Sequence, residues 1–112
     1  MNTELRVDRR FQHFRNEKLA FFAERVLRKL QHNPYLHVPA ELLDPLETEL
    51  YRFLSVLNNQ ALKRKARTEA IRTAELPLRH ILSDLAGYVE KVAPCKSDIN
   101  TTGFRPASEA RK

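Results

Sequence analysis

Glycine is scarce in this chain and tryptophan is missing: Gly87 and Gly103 are the only glycines among 112 residues. So few glycines leave little material for the tight turns of a β architecture, which points to helices. Cys95 is the single cysteine, so no internal disulfide can form, in keeping with a reducing compartment. Nowhere does the chain offer the roughly 18 uninterrupted apolar residues that a membrane-spanning helix needs. The opening "MNTELRVDRR" carries charge where a secretory signal would need an apolar core, and the chain reads as cytoplasmic.

Chemistry-bearing patterns are also lacking. There is no glycine-rich phosphate loop, no Gly-x-Ser-x-Gly elbow, and no nucleophile paired with a base. His32 and His37 flank a proline-containing loop without a second ligand at metal spacing, and His13 and His80 are isolated on helices. Glu47 and Glu49 read as capping and solvating carboxylates, and the paired inward Glu-x-x-His motifs of a bundle metal site do not occur. These absences predict a protein that is not an enzyme, has no cofactor or metal, and takes no small-molecule substrate.

What the chain does have is charge of both signs and helical periodicity. Twenty basic and 14 acidic residues leave a formal charge of +6, with pI near 9.8. That balance invites a nucleic-acid partner, although mixed signs on helix surfaces also serve solubility. From about 3 to 31, Val7, Phe11, Phe14, Phe21, Phe22 and Val26 share one stripe at about 100° per residue, and "HNPY" ends the segment. Asp44-Pro45-Leu46-Glu47 combines an acidic N-cap, a proline at the first helical position and a glutamate at the third. This predicts a helix start at residue 44, after a linker that is extended at first and can make one helical turn near Ala40 to Leu43, with Leu46, Leu50, Phe53, Leu54 and Leu57 buried.

A new stripe of Leu62, Ala66, Ala70, Ala74 and Leu78 begins out of phase with Leu57 by about 140°, so the chain must reverse near Asn58-Asn59. From there the pattern keeps one phase through Leu85, Val89 and Val92, predicting a long helix over about 60–93 that is kinked at Pro77, with a break there into two helices as the alternative. The fold expected is therefore an all-α antiparallel bundle of three main helices, 3–31, 44–58 and 60–93. Residues 1–94 form the bundle and 95–112 an irregular polar tail.

Tyr88-Val89, Val92-Ala93, Gly103-Phe104 and Pro106 carry a resemblance. Over Tyr88 to Pro106 the chain is similar to the end of a helical module of uncharacterised bacterial proteins, in which a fibronectin type III domain often follows. Thr102 stands where that module frequently has Ser, and with eight residues after Phe104 no such domain is expected here. The resemblance implies a helical adaptor or spacer and brings no catalytic or ligand residues.

Two functions are expected from this reading. The first is a non-catalytic interaction or scaffold module, self-associating or binding another protein. The second helix is too short to cover both long ones, which leaves an apolar surface around Leu85, Val89, Ile99 and Phe104. The alternative is a basic nucleic-acid-binding accessory protein using Lys63, Arg64, Lys65 and Arg67. The first three of these fan over about 200° of a helix and do not form one flat face.

Overall fold

The computed structural model describes residues 6–59, 61, 63–93 and 96–106, with the side chains of 96 and 97 left aside. It is an all-α bundle of three main helices, α1 (Asn16–Gln31), α2 (Ala40–Leu57) and α3 (Arg64–Val92). A short 3-10 turn, Arg10–His13, precedes them and a five-residue helix, α4 (Lys96–Asn100), follows. No strand occurs among the described residues, and Val7 and Pro106 meet in an isolated antiparallel bridge. Packing is most extensive between α2 and α3, then between α1 and α2, while α1 and α3 touch little, so α2 lies at the centre.

The reversal between α2 and α3 falls at the change of hydrophobic phase. Asn58 ends α2, donating its N–H to the Leu54 carbonyl at 3.0 Å. The Asn59 side chain accepts the Ala61 N–H at 3.0 Å, and Arg67 Nη2 donates to the Leu57 carbonyl at 2.9 Å. The last carbonyls of a helix lack internal partners, so this arginine acts as a C-terminal cap. α3 starts later than expected: Ala66 is exposed, burial begins at Ile71, and Leu62 lies outside the described residues. The helix then runs through Pro77 without a break.

α2 begins at Ala40, four residues before the Asp44-Pro45 signal, with Pro39 extended at its N-cap. Leu43 explains the earlier start. It extends the buried series Leu43, Leu46, Leu50, Phe53 and Leu57 by one turn, and burying that side chain outweighs the one ladder bond Pro45 cannot make to the Glu41 carbonyl.

The largest departure is at the N-terminal end. The expected helix over 3–31 is confined to 16–31, and residues 1–5 lie outside the described part. Phe14 and Arg15 are extended, and Asn16 takes a positive φ of 53°, a conformation that asparagine tolerates better than most residues. Side chains of α3 compensate the backbone that this break exposes. Glu75 accepts the Asn16 N–H at 3.3 Å, Arg79 donates to the Phe14 carbonyl at 2.8 Å, and Glu90 accepts the Val7 N–H at 2.8 Å. Arg9 also donates to Ser83 Oγ at 2.9 Å and to Glu90 at 3.0 Å.

The segment expected as an irregular tail is part of the core as far as Pro106. Ile99 and Phe104 are fully enclosed, and Phe104 packs on Phe11 and Phe22 with both ring centroids at 5.7 Å. The Thr102 hydroxyl, itself buried, donates to the Ile99 carbonyl at 2.6 Å and accepts the Phe104 N–H at 3.3 Å. On the other side, Asn33 ties the α1–α2 linker to Thr101 through its Nδ2, while its Oδ1 accepts the N–H groups of Tyr35 and Leu36. Leu36 and Val38 in that linker are buried as well. Of the covers expected for the long helices, the tail, a short extra helix or a second chain, the tail with its short helix supplies part, and the linker and the N-terminal segment supply the rest.

Candidate functional site

The residues expected to form an apolar interaction surface do not form one. Leu85, Val89, Ile99 and Phe104 are each at most 2% exposed within a single chain, because the segments 6–14 and 96–106 fold over the ends of the bundle. The basic cluster does lie on the surface: Lys63, Arg64 and Lys65 are exposed at the start of α3, but Arg67 is half-buried and engaged with the Leu57 carbonyl. Two other places, on either side of the break at 14–16, gather chemistry that periodicity did not reveal.

The first is an open cleft of about 490 Å³ where three segments converge. α1 contributes Lys18, Phe21, Phe22 and Arg25, which fall on one side of the helix at three- and four-residue spacing. The N-terminal segment adds Asp8, Arg10, Phe11 and Phe14, and the tail adds Gly103 and Arg105. Phe11, Phe22 and Phe104 are packed together, with Phe11 and Phe22 stacked at 5.2 Å, and Phe14 meets Phe22 edge-on at 5.4 Å. Lys18 Nζ sits 4.5 Å from the Phe14 ring centroid, a cation–π contact.

Phe21 was expected in the core stripe and is 71% exposed instead. Adjacent residues on a helix point about 100° apart, and Phe22 takes the inward direction. An exposed benzyl ring with Lys18 one turn before and Arg25 one turn after is an aromatic platform between two cations. Arg10, Lys18, Arg25 and Arg105 line the cleft against the single carboxylate of Asp8. Among the described residues neither Arg25 nor Arg105 makes a side-chain ion pair. On its other side Phe21 borders a groove of about 100 Å³ in which Ala20, Leu54 and Leu57 are joined by Glu17, Glu24 and Asn58.

The second place is a cleft of about 410 Å³ between the break and α3, lined by Arg15, Arg67, Arg72 and Arg79 together with Glu75. Glu75 is charged yet buried, and its two oxygens are occupied by the Asn16 N–H and by Arg79 Nη2, the latter at 3.0 Å. Arg67, Glu75 and Arg79 follow one face of α3 at multiples of four residues.

Among the described residues no group of three or more His, Cys, Asp or Glu is placed to hold a metal ion, and no helix is long and apolar enough to cross a membrane. Cys95 lies outside the described residues. No family model matches the chain, and no curated protein or solved structure shows significant similarity to it.

Proposed function

We propose that this chain is a non-catalytic binding module and that its partner is single-stranded nucleic acid, held in the aromatic, cationic cleft on α1. One observation carries the reading: an exposed Phe21 ring set among Lys18, Arg25 and Arg105 beside a phenylalanine floor. Single strands are bound without sequence reading by aromatic faces that stack bases and by Lys or Arg that neutralise phosphates. The net charge of +6 adds long-range attraction for a polyanion. This moves the nucleic-acid surface from the Lys63 to Arg67 cluster to α1. The resemblance of Tyr88 to Pro106 to a helical module of uncharacterised bacterial proteins implies an adaptor or spacer, likewise a role without catalysis.

Fluorescence anisotropy with a labelled oligonucleotide tests it. Engagement of four cations gives a log–log salt slope of about −3, and Phe21→Ala weakens binding by about 5- to 150-fold, the loss of one stacked base. A triple variant Lys63→Gln, Arg64→Gln, Lys65→Gln leaves affinity for a short oligonucleotide nearly unchanged. No binding at low salt, or an unaltered Phe21→Ala variant, would refute the assignment.

The groove of Ala20, Leu54 and Leu57 beside Phe21 supports a second reading, in which two copies pair by seating Phe21 of one in the groove of the other. Light scattering separates the two: a monomeric mass at high concentration removes self-association and leaves the nucleic-acid reading intact.

A further inference from the structure

The arginine cleft between the 14–16 break and α3 has a different chemistry from the aromatic one. We infer that it is a binding site for a phosphate group carrying two negative charges. Four guanidinium groups, those of Arg15, Arg67, Arg72 and Arg79, line it against one carboxylate, that of Glu75. Neither Arg15 nor Arg72 makes a side-chain hydrogen bond or ion pair among the described residues.

A second, independent observation points the same way. Arg79 Nε is buried and has no hydrogen-bond acceptor, although Nη2 of the same guanidinium is satisfied twice, by the Phe14 carbonyl and by Glu75. Buried polar atoms are ordinarily paired, and a buried donor on a permanently charged group is the most demanding of them. Nε itself is too enclosed for a water to touch, so an oxyanion in the cleft would meet the charge of the Arg79 guanidinium and reach Nε only through a small shift of that side chain. Glu75 does not oppose this, because both its oxygens are in use and its side chain is 7% exposed; it holds Arg79 and the Asn16 N–H in place. Arg67 is anchored through one nitrogen to the Leu57 carbonyl and keeps its remaining donors. The planar fork of arginine matches the paired oxygens of a phosphate, so several arginines around one cavity favour phosphate over a monovalent anion.

The phosphate can be free, as inorganic phosphate or pyrophosphate, or the terminal phosphate of a nucleotide strand. Calorimetric titrations of the full chain at constant ionic strength use inorganic phosphate, pyrophosphate, and a dinucleotide with either a 5′-phosphate or a 5′-hydroxyl. Binding of at least one phosphate probe below about 1 mM is expected, with Arg15→Gln and Arg72→Gln each weakening it by about tenfold. Both variants keep their melting temperature, since neither side chain supports the fold. A preference for the 5′-phosphorylated dinucleotide over both inorganic probes identifies a strand end as the source, and the reverse order identifies a free anion. Phe21→Ser serves as the control and retains phosphate binding whether or not nucleic acid binds in the other cleft. Unaltered affinity in both arginine variants, absence of binding by every probe, or loss of phosphate binding in Phe21→Ser would overturn the inference.

Discussion

The two glycines make opposite predictions for the same substitution. Gly103 has φ of +90°, and a methyl group added there would lie 3.1 Å from Cα and 3.3 Å from both N and Cγ2 of Val26. Positive φ costs an L-residue about 1–2 kcal/mol, and forcing a methyl against a helix backbone, which cannot swing aside as a side chain can, costs about 1–3 kcal/mol more. Reduced freedom of the unfolded chain returns roughly 0.7 kcal/mol, so Gly103→Ala should destabilise by about 2–4 kcal/mol. Gly87 lies inside α3 with nothing within 4 Å of the added methyl. There Gly→Ala should stabilise by about 0.5–1 kcal/mol. For a chain of this size each kcal/mol moves the melting temperature by about 4 °C, so the variants separate by about 10–20 °C in opposite directions from the parent. Thermal and urea unfolding followed by far-UV circular dichroism measures both. If Gly103→Ala falls within about 0.5 kcal/mol of the parent, the close approach of the 101–106 segment to α1 is refuted.

Further predictions address the other supports of the fold. Glu75→Ala leaves the Asn16 N–H and one donor of Arg79 unpaired, and should cost about 2–3 kcal/mol in urea unfolding, with faster hydrogen exchange at the Asn16 amide. Ile99→Ala should cost about 3 kcal/mol because the side chain is fully buried, whereas a peripheral tail residue would cost less than about 0.5 kcal/mol. Phe21→Ala, the variant that weakens nucleic-acid binding, should leave the melting temperature within about 2 °C of the parent, since its ring is mostly in solvent.

Sequence reading succeeded for class, helix number and reversal, and failed for helix bounds. The helical class, the three main helices and the reversal at Asn58-Asn59 follow from scarce glycine and from the period and phase of apolar residues, which do not depend on the rest of the fold. The Asp44-Pro45 signal misplaced a boundary, because tertiary burial of Leu43 competes with local capping and prevails. The candidate clefts were not legible. Phe21 belongs to the same broad stripe as Phe22, and only the packing of Phe22 against Phe11 and Phe104 decides which of the two rings turns inward.

The chain's own composition and periodicity therefore determined that it is helical and where it doubles back. Tertiary structure alone decided that the first helix breaks at 14–16, that Ile99 and Phe104 close the core, and that arginines from α3 and the break line one cleft. The physical reason is distance along the chain. Asn16 is held by Glu75 and Phe14 by Arg79, pairs separated by 59 and 65 residues. Backbone hydrogen bonds that a continuous helix would have made locally are replaced by side chains that reach them only after the bundle has formed, and no local pattern of residues encodes that exchange.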